Sequence, residues 1–563
     1  MTKRGSFGKP GHQKRQSPLP RSVRTNGNLA VSPWASAAAL AGLAVAAYWP
    51  ALGGGFIWDD IYIYIVHNPL LRASDGLYRF WFTSEPIDYY PLTYSTFWFA
   101  WRLWGLSPAG YHAVNVLLHA LCAILLWRLL RRLEVPGAWI AAAIFVVHPV
   151  NVDAVAWICQ RKSLLAATLG FASLGAFLHF EETRRRSWLT ASLALYALSL
   201  AAKPTLIALP LLLLGYRSWT HGRVGWQDVL ETAPYLALSV LFGLIGVWFQ
   251  QQRAIGMELV RDQPLLLRIA TGGCAFWFYL WKAVTPLQLS FVYPRWQLDP
   301  NRLSTYLPVL GLVATVAIAW YGRRGRGRPL AAALGFYLLT LAPALGLVDV
   351  YFWRYAFVAD HYQYQSIIAV IALLTGVAVP KLRQFADRNP AWRTAVLAVG
   401  VAVLAGLASQ TIRQSSLCID EMFLWQDVIA KNDRDFLGRN NLGLIYLDQG
   451  RHEEAIALFR KSIAANPDFW EVYNSIGLYW SAVGDYAAAE GYFAEAARRA
   501  PHHATVRLNL DGALLDQKQF DAALAQFEEA VRLAPDNPDA RRVLERVRQT
   551  RRAGRLQLKS FSQ

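Results

Sequence analysis

Charged residues are scarce: Asp, Glu, Lys and Arg make up 17% of the 563 residues, where about 25% is usual for a soluble domain. That shortage excludes an ordinary soluble enzyme. Cysteine is scarcer still. Cys122, Cys159, Cys274 and Cys418 stand far apart with no CxxC spacing, so neither a zinc site nor a disulfide framework is signalled. Acids are outnumbered, 38 against 56 Lys and Arg, for a net charge of +18. The imbalance is local: residues 1–410 hold 36 basic and 17 acidic residues, residues 411–563 hold 20 and 21. An oil-soluble part and a water-soluble part are joined near residue 410. Basic charge scattered among apolar runs reads as loop charge on a membrane protein, and no nucleic-acid partner is expected.

What is abundant is apolar sequence, 55% of the chain, with 13% aromatic residues. Residues 1–30 are basic and rich in Pro, Gly and Ser, which predicts a disordered cytoplasmic tail. The apolar run after it exceeds the roughly 7–15 residues of a signal-peptide core, so it is read as a retained first span. Twelve apolar runs follow one another between 31 and 410. Arg128, Arg131, Arg132, Arg184 to Arg186, Arg217 and Arg223 fall inside if the first seven cross in alternation. The clusters Arg323 to Arg328 and Lys381 to Arg388 also fall inside only if 265–287 enters and returns on the outer side. The expectation is an all-α, polytopic bundle over 31–410, with about eleven crossings and one non-crossing segment, and with residues 411–555 outside the cytoplasm.

The C-terminal part repeats itself. Gly443 and Gly477, Gly450 and Gly484, Ala455, Ala489 and Ala523, Phe459, Phe493 and Phe527, and Pro467, Pro501 and Pro535 recur at 34 residues. That is the tetratricopeptide period. It predicts an α-solenoid with repeats near 436–469, 470–503 and 504–537, a helical lead-in at 411–436, a basic capping helix at 541–555 and a short tail at 556–563. The third repeat departs from the pattern at Asp511 and Lys518. Such arrays stack into a groove that binds polypeptide.

Chemistry is expected in the outer connections. Asp59 and Asp60, flanked by Ile57, Trp58 and Ile61, are costly to ionise at a membrane surface without a partner or a role. They read as an N-cap pair or as a general base tuned by apolar neighbours. A later stretch, FVVHPVNVDAVAWICQRKSLLA, brings His148, Asp153, Arg161 and Lys162 to the same side. Two cations beside an acid suit an anionic ligand, although a headgroup anchor explains Arg161 and Lys162, and a structural role His148, equally simply. Lys203 in AAKPT and Arg354, Asp360 and His361 in VDVYFWRYAFVADHYQYQS complete four separate loops that supply acids, cations and aromatics.

Taken in order, WDD after the first span, YYPLTYSTF, YHAVNVLLHAL, HPVNVDAVAWICQRKSLLAA, ADHYQYQS and the 34-residue repeats resemble the transmembrane-and-tetratricopeptide O-mannosyltransferases and their bacterial relatives. The resemblance runs from about 31 to 555 and is most specific at 56–166. The last motif departs from the family's ADRYxYLP, with His361 at the Arg position and Gln363 and Gln365 after it. The resemblance implies a GT-C fold and an inverting glycosyltransferase that takes a sugar from a polyprenyl-phosphate donor on the non-cytoplasmic face. It implies that Asp60, or its neighbour Asp59, deprotonates an acceptor hydroxyl. Arg161, Lys162, Lys203, Arg354 and His361 would receive the donor phosphate. Asp153 and His148 would orient the acceptor or a divalent cation, and the repeats would recruit a polypeptide acceptor. A bacterial inner membrane with periplasmic repeats fits the composition, and an endoplasmic-reticulum membrane satisfies the same physics. Two other readings stay open: a membrane-anchored scaffold for envelope assembly, and a lipid-linked glycan polymerase or ligase.

Overall fold

The computed structural model describes residues 32–517 apart from 257–259, 347 and 502, together with positions 519, 524, 528, 531, 532, 545 and 548. The tail 1–30, Lys518, most of the third repeat's second helix, the capping helix and the tail 556–563 lie outside the described residues. Among the described residues every regular element is helical.

The first helix, Pro33–Ala47, begins where sequence dictates: Ser32 accepts from the Trp34 N–H and Pro33 occupies the first helical position. Six helices are long and apolar enough to cross a membrane: Pro108–Arg132, Ile158–Thr183, Trp226–Ile255, Leu303–Gly322, Ile367–Ala386 and Pro390–Leu417. A seventh is made if the pair Ala138–Val146 and Pro149–Ala156, bent by 53°, counts as one span. Fewer helices meet that length than the apolar runs in the sequence, for a local reason. Pro149 has no N–H to continue the helix, and the His148 ring accepts the Val150 N–H instead. Lys203–Pro204 likewise ends helix Arg186–Ala202. Apolar runs that look continuous are thus split into pieces, and Pro33–Ala47 and Arg328–Ala344 remain shorter apolar helices. Away from these breaks, the fully buried Arg217 pairs with Glu181 at 2.6 Å and Asp228 at 3.4 Å, joining three helices.

The composition changes at 410, but the backbone does not. Helix Pro390–Leu417 continues past it, because Thr411 donates to the Val147 carbonyl at 2.7 Å and Ser415 is buried. Asp420 then caps helix Glu421–Lys431, and the paired repeat helices Leu437–Asp448 with His452–Ala465 and Trp470–Ala482 with Tyr486–Arg499 follow, then Ala504–Asp516. The repeated Gly and Phe explain each other: a Cβ at Gly443 would stand 2.5 Å from Phe459, and one at Gly477 2.5 Å from Phe493. One hydrophobic core runs from Leu40 through Trp157 and Trp425 to Val472, so the first repeats are built onto the membrane part. Replacing Gly477 by Val is expected to destabilise the repeat region by about 1–3 kcal/mol. Thermal unfolding followed by tryptophan fluorescence checks this, with Ser481→Ala as the silent control.

Candidate functional site

The motif residues meet one another. Asp60, completely buried, accepts from the Cys159 N–H at 2.6 Å through one oxygen and from the Ile57 N–H at 3.3 Å through the other. Asn115 donates towards the carbonyls of Val155, Trp157 and Ile158 and accepts from Arg161 Nε at 3.1 Å. His119 pairs with the Tyr364 hydroxyl at 2.7 Å and donates through Nε2 to the Val146 carbonyl at 3.1 Å. The stretches around 56–64, 111–119, 146–162 and 359–365 therefore form one polar knot beneath the site.

Within that knot the two acids differ. Asp60 has both oxygens occupied by backbone donors. Asp59 is half-buried, and no hydrogen bond is recorded for its carboxylate. Burial pushes the Asp59 carboxyl up to about 6; Lys162 opposes the shift, and Asp88 and Glu421 add to it. Burial pushes Asp60 further, to about 8, against the pull of the Ile57 and Cys159 N–H groups.

Lys162 donates to the Tyr64 hydroxyl at 2.7 Å, which donates to Asp88 at 2.6 Å. The other Asp88 oxygen accepts from Gln250 at 2.7 Å. Lys203 donates to Ser163 Oγ at 3.0 Å, and burial, reinforced by the charge of Lys162, pulls its ammonium down to about 7. His361 is packed among Trp157, Phe352 and Tyr362. Burial, with Lys203 and Lys162 adding to it, drives His361 well below its usual value, so this ring is neutral at pH 7. Two lysines thus face a neutral imidazole, with Lys162 also facing Asp59, an arrangement chemically suited to an anion and to an acid that accepts a proton.

The structure brings Asp59, Asp60, Lys162, Lys203 and His361 together and gives the other expected residues different work. Arg161 is buried and spends its donors on Asn115 and the Tyr111 carbonyl. His148 uses both ring nitrogens, Nδ1 accepting from the Val150 N–H and Nε2 donating to the Ala283 carbonyl at 3.2 Å. Arg354 bonds the Tyr351 hydroxyl and pairs at 3.1 Å with Glu471 of the second repeat. Asp153 is buried within electrostatic reach of Asp360, whose carboxylate accepts from the Tyr293 hydroxyl at 2.8 Å. Asp88 was not singled out from sequence, although an acid between Pro86 and Tyr89-Tyr90 in the same loop was its signal; Gln250 had none. Among the described residues no three His, Cys, Asp or Glu side chains are grouped to hold a metal ion.

Because native Asp59 and Asp60 keep protons that the unfolded chain gives up near its ordinary carboxylate range, the folded state binds more protons between about pH 4 and 8. Stability therefore falls as pH rises across that window. The apparent unfolding temperature in detergent is expected to drop from pH 5 to pH 8, and Asp60→Asn, which cannot ionise, to flatten part of the slope.

Comparison with known proteins locates this arrangement. Tetratricopeptide repeat models match residues 437–469 and 482–547. The protein O-mannosyl-transferase Tmtc3 of Drosophila melanogaster is 25% identical over 94% of this chain and 67% of its own length. Protein O-mannosyl-transferase F38B6.6 of Caenorhabditis elegans is 34% identical over 24% of this chain and 22% of its own. For human protein O-mannosyl-transferase TMTC1 the figures are 32%, 27% and 18%, so this chain spans only a minor part of those two relatives. A solved structure, the APC/C hetero-tetramer Cut9–Hcn1, covers 81% of this chain and 89% of that one at 13% identity and a TM-score of 0.25, too low to bear on the fold. Over most of its length, then, the chain is similar to proteins named protein O-mannosyl-transferases, and its C-terminal part carries tetratricopeptide repeats.

Proposed function

We propose that this protein is a membrane glycosyltransferase that moves a sugar from a polyprenyl-phosphate donor to a hydroxyl of a polypeptide held by the repeats. The reaction takes place on the non-cytoplasmic face, in a bacterial inner membrane with periplasmic repeats. The observation that carries the reading is the half-buried Asp59 carboxylate within electrostatic reach of Lys162, which in turn faces Lys203, in a chain similar over 94% of its length to a protein named O-mannosyl-transferase.

The chemistry follows from those groups. Asp59 takes the proton of the acceptor hydroxyl while the oxygen attacks the anomeric carbon. The bond from that carbon to the phosphate oxygen breaks on the opposite face, which inverts the centre as in GT-C enzymes. The electron pair leaves on the phosphate, where Lys162 and Lys203 offset the growing charge. Asp60 holds the loop in place, and Tyr64 and Asp88 orient Lys162. No step is routed through a metal ion.

Purified protein given polyprenyl-phosphate mannose and a Ser/Thr-rich peptide is expected to transfer mannose. Asp59→Asn should lower turnover about 10²–10⁴-fold. Full activity in Asp59→Asn would sink the base assignment; loss of transfer in Asp60→Asn alone would move it to Asp60.

The pH profile provides a second check. The base must be ionised, so kcat/KM rises with pH through about 6. Lys203 must be charged to hold phosphate, so kcat/KM falls again above about 7. Lys203→Arg should extend the alkaline limb upward, since guanidinium keeps its charge there.

A further inference from the structure

Trp58, the residue just before the acid pair, has φ of +43°, a left-handed value that bulky side chains seldom adopt. Its indole is boxed by rings from four other stretches of chain. Trp157 stacks on it at 5.7 Å, Phe291 stands at 5.9 Å, Phe352 and Tyr355 at 6.2 and 5.8 Å, and Trp425 meets it edge-on at 5.5 Å.

Trp425 is fully buried and belongs to helix Glu421–Lys431, the lead-in to the repeats. The same segment grips the same loop elsewhere. Gly55 N–H donates to the Ile419 carbonyl at 2.9 Å. Glu421 accepts from the Trp425 indole at 3.0 Å and is faced by the Trp58 N–H. Lys431 donates to the Leu289 carbonyl at 2.6 Å, two residues before Phe291.

We propose that Trp58 is a positioning residue through which the lead-in helix of the repeats sets the exposure, and so the reactivity, of Asp59. The proposal rests on the reading of Asp59 as the base. Contacts with five rings hold the Trp58 backbone in a conformation it would otherwise leave, and that backbone aims the next side chain. Removal of the Trp425 ring frees the indole to withdraw and lets water reach the carboxylate.

The groups facing Asp59 are known from each neighbouring element. Lys162 and Cys159 come from the helix start, Asp88 and Tyr94 from the second part of the first loop, Tyr362 from the last loop and Glu421 from the lead-in, with Asp60 adjacent. Burial outweighs all of them, so a change in water access is the change that registers.

An apolar carbodiimide adds to protonated carboxyls, and fragment masses separate Asp59 from Asp60. The intact protein in detergent is labelled across pH 4 to 8 as wild type, Trp425→Ala, Trp425→Phe and Trp58→Phe. A Trp353→Ala control removes another buried ring outside this box. The wild-type midpoint at Asp59 is expected near 6. Trp425→Ala should lower it by half a pH unit or more, and Trp425→Phe should restore it. If Trp425→Ala does not fold, Trp58→Phe carries the test with the same expected direction. An unmoved midpoint, or one that moves equally in Trp353→Ala, overturns the proposal. Since labelling needs no substrate, an unmoved midpoint with transfer lost in Asp59→Asn sinks only this coupling. A moved midpoint with full transfer in Asp59→Asn sinks only the base assignment.

Discussion

The Asp60 carboxylate is the point on which the rest of the site hangs. It lies out of water and accepts from the backbone N–H of Ile57, in its own loop, and of Cys159, in the segment that begins the helix carrying Lys162. The bond from Cys159 ties segments 99 residues apart, and the bond from Ile57 closes the loop's own turn. A buried N–H left unpaired costs on the order of 1–3 kcal/mol, so the junction is held by what would be lost on opening it. Once loop and helix are joined in this way, Asp59 must face Lys162, and Trp58 must fill the space beneath.

The same constraint explains why one acid is occupied by backbone donors and its neighbour is left with free lone pairs, as the proposed base role requires. A carboxylate whose oxygens both accept backbone donors is fixed in place and shielded from substrate. Its half-buried neighbour keeps its lone pairs, and the apolar surroundings keep its proton affinity near neutrality. Adjacent residues with unlike environments are a recurrent way to separate holding from reacting.

Sequence made the repeats legible because each period position has one physical reason: the Gly exists where the Phe must lie. It also marked loops whose acids and cations stand beside aromatics, and the structure packs those loops against one another. It could not say which polar atoms are already used. Arg161 and Lys162 are neighbours in the chain, yet one is consumed by Asn115 and the Tyr111 carbonyl and the other faces Tyr64. His148 and Arg354 were attractive for the same reason and are taken by a carbonyl and by Glu471. Hydropathy reads composition, whereas helix length is cut at Pro149 and Pro204, whose effect is on backbone donors.

The electrostatics of the lysine pair then tie ligand to protonation. Two ammonium groups held near each other out of water repel, and Lys203 relieves the strain by giving up its proton near neutral pH. An anion between them would reverse the balance, because each positive charge would gain more from it than it loses to its neighbour. Such an anion would draw a proton onto Lys203 on binding and let it go on release. His361, neutral and ring-packed, contributes no fixed charge there. With an Arg there the site would hold its anion with a permanent cation. With His361 instead, the positive charge that would face an anion comes from Lys162 and from Lys203, whose own charge depends on pH near neutrality.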